Sequence, residues 1–160
     1  MNELLERSSS AATVRARAVH ARADPAPPER RPRVLLIDPD AANREVEVLL
    51  VRYYGFEVRG APDLAEGLFM ARVERPDAIV CELFADAPRG PSTVALLRRD
   101  PATAGIPVVA ITPRGGAGLR ERARIDGAVD FLTKPCRGDL LKKILERLLG
   151  PAERAAAAGS

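Results

Sequence analysis

Short apolar runs alternate with amphipathic stretches through the middle of the chain. The runs predict five β-strands, at residues 34–37, 56–58, 78–81, 108–111 and 129–132. Three of them show no polar alternation, which is typical of a parallel sheet covered on both faces. The pattern therefore predicts helices on both sides of a parallel sheet.

The stretches that follow the strands predict five helices. The first has an N-cap at Asp40 and a stop at Gly55, and its apolar residues Ala42, Val46, Leu49, Leu50 and Tyr53 form one face. The second begins at a capping-box-like Asp63, the third runs from Pro91 to about Arg99, the fourth covers 119–126, and the fifth carries an apolar stripe through 140–149. Five successive β/α units indicate an α/β fold with right-handed crossovers.

Composition and charge divide the chain into three parts. Residues 1–33 form a proline-rich arm with seven arginines against four acidic residues, while the remaining chain holds 18 basic and 18 acidic side chains. We predict that this arm and the tail at 151–160 are disordered and that residues 34–150 form one neutral domain. The arm lacks interleaved aromatic residues, so nucleic-acid binding is not expected.

The cysteine content and the hydropathy of the chain bear on its location. The two cysteines, Cys81 and Cys136, have no metal-ligand spacing, and no apolar run approaches the roughly 20 residues that span a bilayer. We therefore predict a cytoplasmic protein with no metal site and no membrane segment.

Polar side chains gather where the predicted strands end. The first strand is followed by Asp38, the third by Glu82, the fourth by Thr112, and the fifth leads into Lys134 and Pro135. Ligands and chemistry collect at the carboxyl ends of strands in open α/β sheets. A site is expected at this edge.

Four segments carry a resemblance to a known family. Val34 to Asp38, Pro76 to Glu82, Ile106 to Thr112 and Asp130 to Pro135 resemble the landmark segments of response-regulator receiver domains, in the right order. The resemblance implies a CheY-like, flavodoxin-like doubly wound sheet with strand order 2-1-3-4-5. It also implies that Asp38 is an acidic-pocket residue, that Thr112 and Lys134 contact a phosphoryl group, that Phe131 is the switch aromatic, and that a cis peptide bond precedes Pro135.

Two positions depart from the family pattern. Pro39 stands at the second acidic position and Glu82 at the position of the phosphoacceptor aspartate. Proline offers no side-chain oxygen to Mg²⁺, and the extra methylene of glutamate displaces the carboxylate. Asp40, one residue farther on, could serve as a ligand only if the loop bent differently. Phosphorylation is therefore not expected, and Mg²⁺ binding is expected to be weak or lost.

These departures predict a non-enzymatic pseudo-receiver of a bacterial two-component or phosphorelay system. It would act by phosphorylation-independent binding of a protein partner through helix 4, strand 5 and helix 5, and a homodimer is also possible. Two roles stay open for Glu82, which either partly imitates a phosphorylated aspartate or forms a structural ion pair with Lys134. The alternatives are a working phosphoacceptor that uses Asp40 and Asp86, and a nucleic-acid accessory protein that binds through the arm.

Overall fold

Five β/α units make up the part of the chain that the computed structural model describes, residues 30–86 and 89–152. The strands are β1 (Arg33–Ile37), β2 (Glu57–Ala61), β3 (Ala78–Glu82), β4 (Val108–Thr112) and β5 (Asp130–Thr133). The helices are α1 (Ala41–Tyr53), α2 (Leu64–Glu74), α3 (Thr93–Arg99), α4 (Ala117–Asp126) and α5 (Gly138–Leu149). The strands pair in parallel in the order β2-β1-β3-β4-β5, so the predicted α/β fold is confirmed.

Helices cover both faces of the sheet because alternate residues of each strand point to opposite sides. In β1, Leu35 and Ile37 pack in a cluster that contains side chains of α2, α3 and α4. Val34 and Leu36 pack on the other side with side chains of α1 and α5. The central strands are thus buried on both faces, as their unbroken apolar sequences predict.

Local capping explains where the helices begin. The Asp40 side chain accepts a hydrogen bond from the Asn43 amide at 2.8 Å, which confirms the predicted N-cap of α1. Asp63 caps α2 in the same way. The predicted start of α3 at Pro91 is wrong, because Ser92 is the N-cap of that helix and its hydroxyl accepts from the Ala95 amide.

The apolar face predicted for α1 lies on the solvent side. Val46 is 64% exposed, Leu49 56% and Tyr53 84%, whereas Glu47 and Val51 are buried. The helix therefore carries apolar residues on two sides, and periodicity alone could not tell which side meets the sheet. Of the five residues predicted to form one face, Leu50 is half-buried and the other four are exposed.

Ordered contacts extend slightly past the predicted domain limits at 34 and 150. Arg30 donates to the Asp77 carboxylate at 2.9 Å, and Ala152 is buried in the apolar cluster that also contains Val51 and Phe56. The rest of the arm and the end of the tail lie outside the described residues. Within the described ranges, no helix is long and apolar enough to cross a bilayer.

Candidate functional site

The residues predicted to form a site meet at the carboxyl edge of the sheet. Asp38 directly follows β1, Glu82 and Thr112 end β3 and β4, and Lys134 directly follows β5. Their strands lie side by side in the order β1-β3-β4-β5. The parallel topology therefore brings together side chains that are 96 residues apart in sequence, as in the contact between Asp38 and Lys134.

Lys134 is the centre of this cluster. Its Nζ donates to Oε2 of Glu82 at 2.9 Å and also donates to Oδ2 of Asp38. The side chains of Asp38, Lys134 and Glu82 are 2%, 11% and 18% exposed, so the ion pairs are largely shielded from water. One ammonium thus bridges two carboxylates in a poorly solvated place.

The protonation of Lys134 follows from these contacts. Burial alone would lower the pKa of the Lys134 ammonium, but the hydrogen bonds and charges of Asp38 and Glu82 outweigh burial and raise this pKa above its ordinary value. The lysine therefore stays charged at physiological pH.

The loop after β1 is arranged around Asp38. Oδ1 of Asp38 accepts from the Asp40 amide at 2.7 Å, and the Arg44 guanidinium donates to the Asp38 carbonyl at 2.7 Å. Pro39 is exposed and carries no side-chain donor or acceptor. The side chain of Asp40 is engaged at the start of α1 as its N-cap.

The remaining predicted residues are placed as follows. Thr112 is buried, and its hydroxyl accepts a long 3.4 Å hydrogen bond from the Arg114 amide. Phe131 is 5% exposed, with the Arg120 guanidinium 5.2 Å from its ring centroid. The peptide bond between Lys134 and Pro135 is cis, as predicted.

Sequence reasoning missed one carboxylate beside the cluster. Glu47, on the inner side of α1, is 8% exposed. Burial, with smaller contributions from Asp38 and Glu82, raises the pKa of Glu47 to about 7, although the Lys134 charge acts in the opposite direction. One signal in the sequence could have indicated that Glu47 is buried. Glu47 lies one turn before Val51, on the side of the helix opposite Val46, Leu49 and Tyr53.

Cys136 lies close to these charges but does not have the features of a nucleophile. Burial and the charge of Glu47 raise the pKa of the Cys136 thiol to about 12, so its reactive thiolate is scarce at neutral pH.

The oxygen donors of this edge do not fit Mg²⁺, the ion implied by the family resemblance. Mg²⁺ requires near-octahedral oxygen ligands. Asp38 and Glu82 are bound to the Lys134 ammonium, the Asp40 carboxylate caps α1, and Pro39 supplies no oxygen. Within residues 30–86 and 89–152, no group of three or more histidine, cysteine or acidic side chains is placed to hold a metal ion.

The chain has clear relatives among known proteins. It is 35% identical over 104 residues to the DNA-binding dual master transcriptional regulator RpaA of a Synechocystis strain, a match that covers 65% of this chain and 43% of RpaA. It is 26% identical over 117 residues to the protein PilH of Pseudomonas aeruginosa, with 73% of this chain and 97% of PilH covered. The chain thus spans less than half the length of RpaA and nearly all of PilH.

A solved structure and a family profile agree with this relationship. The chemotaxis protein CheY4 of Vibrio cholerae superposes with a TM-score of 0.65 at 25% identity, over 74% of this chain and 99% of that protein. The profile of the response regulator receiver domain matches residues 34–146, which include all four strand ends of the site. This chain therefore belongs to the response regulator receiver domain family of two-component signalling.

Proposed function

We propose that this receiver domain is a pseudo-receiver that signals by binding a protein partner without being phosphorylated. The observation that carries the proposal is the ion pair of Lys134 with Glu82 at 2.9 Å, reinforced by Asp38. The position of the phosphoacceptor aspartate holds a glutamate whose carboxylate is already paired with the lysine.

The other site residues support the same conclusion. Phosphoryl transfer depends on positioning and on charge neutralisation by a metal, and Pro39 removes one carboxylate from the acidic pocket. Asp40 does not replace it, because its side chain caps α1. Asp86, the other carboxylate considered as an acceptor, is exposed on the loop after β3. A lost or weak Mg²⁺ site is part of the proposal.

The ion pairs would act on the partner surface through β5. Lys134 follows this strand directly, and Phe131 on the same strand lines an open groove of about 470 Å³ together with residues of α4 and α5. Other lining residues are Arg120, Pro135, Arg137 and Leu140. By holding the end of β5, Glu82 and Asp38 would keep this groove in one conformation that a partner recognises.

A phosphodonor assay tests the absence of phosphorylation. We expect no mass increase when the purified protein is incubated with Mg²⁺ and a small phosphodonor such as acetyl phosphate, measured by intact-mass spectrometry. The restored variant Glu82→Asp/Pro39→Asp is the matched control and should gain one phosphoryl group. Stable incorporation in the native protein would show that another carboxylate accepts phosphate.

The variant Glu82→Gln tests the role of the charge at this position. Removal of one carboxylate from Lys134 should shift the backbone NMR resonances of β5 and of the groove residues on α4 and α5. If the shifts stay within the immediate neighbours of Glu82 and Lys134, the pair is only structural and does not set the partner surface. Thr103→Ser, a conservative change far along the chain between α3 and β4, is a control that should leave the groove resonances in place.

The other expectations from the sequence remain predictions. The arm, with its proposed disorder and its alternative role in nucleic-acid binding, lies outside the described residues. A cytoplasmic location and the lack of enzymatic activity also remain part of the proposal.

A further inference from the structure

A stripe of apolar side chains faces solvent along the outer side of α1. It consists of Ala42, Val46, Leu49 and Tyr53, all exposed. Their spacing of four, three and four residues places them on one line down the helix, opposite the buried Val51. Aligned exposed apolar side chains of this kind mark an interaction surface more often than scattered single ones do.

Charged residues lie along one edge of this stripe. Glu45 and Arg52, seven residues apart, are on the same side of the helix, and both are exposed. Within residues 30–86 and 89–152, neither side chain forms an ion pair. The acidic residue stands in the first half of α1 and the basic residue in its last turn.

The opposite edge of the stripe packs on α5 in the second half of the helix, whereas Asn43 in the first turn is exposed. The Tyr54 hydroxyl packs tightly against Gly138, and the Lys142 ammonium lies 5.6 Å from the centroid of the Tyr54 ring. Leu50 also contacts Gly138. The edge with Glu45 and Arg52 is exposed at both residues and is the more open edge of the stripe.

We propose that α1 pairs antiparallel with α1 of a second copy of this chain. A two-fold axis through the middle of the stripe sets Ala42 against Tyr53 of the second copy, and Val46 against Leu49 of the second copy. Each contact occurs twice, as a two-fold interface requires, and the smallest residue faces the largest. The same axis brings Glu45 beside Arg52 of the second copy on the open edge.

This charge arrangement favours a second copy over an unrelated partner. Glu45 and Arg52 lie on one edge, on either side of the middle of the stripe. Within a pair of identical helices, this acid and this base face each other only when the helices run antiparallel. A 13-residue helix is only about 20 Å long. Because so short a contact buries less than the roughly 1,200 Å² of a stable interface, the dimer should be weak and form at about tens to hundreds of micromolar protein.

Sedimentation equilibrium of charge-reversal variants tests the pairing. The wild-type chain should dimerise with rising concentration, and Leu49→Asp, at an exposed position, should abolish the association. Glu45→Arg gives an edge with two basic residues and Arg52→Glu an edge with two acidic ones. We expect each single variant to associate at least about 10-fold more weakly than the wild type, because like charges then face each other.

Mixing the two single variants is the decisive step. An equimolar mixture of Glu45→Arg and Arg52→Glu should dimerise about as well as the wild type, since the basic edge of one meets the acidic edge of the other. Arg99→Glu on α3, across the sheet, is the matched charge control and should leave the association unchanged. Three results would each overturn the proposal: a wild type that stays monomeric, a dimer whose association Leu49→Asp does not weaken, or a mixture that does not dimerise better than the single variants.

The proposal does not depend on the phosphorylation state of the domain. The phosphodonor assay reports on Glu82 and Pro39, whereas sedimentation of the α1 variants reports on an exposed helix surface. Either result can therefore fail without affecting the other.

Discussion

Replacing Lys134 by methionine is expected to lower the free energy of unfolding by about 3–5 kcal/mol, the usual cost of removing one partner from a buried ion pair. The reason is that Asp38, whose side chain is 2% exposed, would remain buried without the ammonium that pairs with it. Glu82, 18% exposed, would lose the same partner but could turn toward water. Urea denaturation at neutral pH measures the change.

Two further variants distinguish the loss of the ion pair from other effects of replacing lysine by methionine. Lys142→Met makes the same chemical change at a more exposed pair, where the side chains are 39% and 34% exposed and Nζ is 3.7 Å from Glu146, and should cost less than about 1 kcal/mol. Adding Asp38→Asn to Lys134→Met should recover part of the loss, because the unpaired buried charge is then gone. If Lys134→Met costs no more than Lys142→Met, the buried cluster contributes little to stability.

The sheet and the place of the site could be predicted because they depend on strong local signals. In β3, for example, the residues from Ala78 to Cys81 are all apolar. Because successive side chains point to opposite faces of the sheet, such a strand has to be buried on both faces. Parallel strands place their carboxyl ends at the same edge of the sheet. Asp38, Glu82 and Lys134 therefore had to lie near each other. The contact between Glu82 and Lys134 itself needed side-chain geometry that no spacing rule supplies.

The orientation of α1 shows where sequence reasoning stops. The pattern predicted an apolar face with Leu49 and Tyr53, but the helix turns Glu47 and Val51 inward and leaves Leu49 and Tyr53 in water. A hydrophobic pattern reports that a face is apolar, not what covers it. The exposed apolar face of α1 is the stripe for which a second copy is proposed. A role of this face as an interface would explain why its residues are apolar although solvent surrounds them.

The buried carboxyl group of Glu47 gives a pH-dependent stability whose sign can be worked out. The pKa of Glu47 is raised from 4.5 to about 7 in the folded protein, with burial as the main cause. Between these two pH values the folded state therefore binds more protons than the unfolded state. The stabilisation is fully present below about pH 4.5 and is lost as the pH rises through about 7.

Glu47→Gln should accordingly raise the free energy of unfolding by about 2–3 kcal/mol at pH 8, and by little at pH 5, because glutamine keeps the shape but never takes the buried charge. Urea denaturation at both pH values, at protein concentrations too low for association, measures the difference. Glu45→Gln on the exposed side of the same helix should change stability by less than about 0.5 kcal/mol at either pH. A loss of stability in Glu47→Gln at pH 8 would mean that the attraction between ionised Glu47 and Lys134 outweighs the cost of burying the carboxylate, and that Glu47 is a third anionic partner of the lysine.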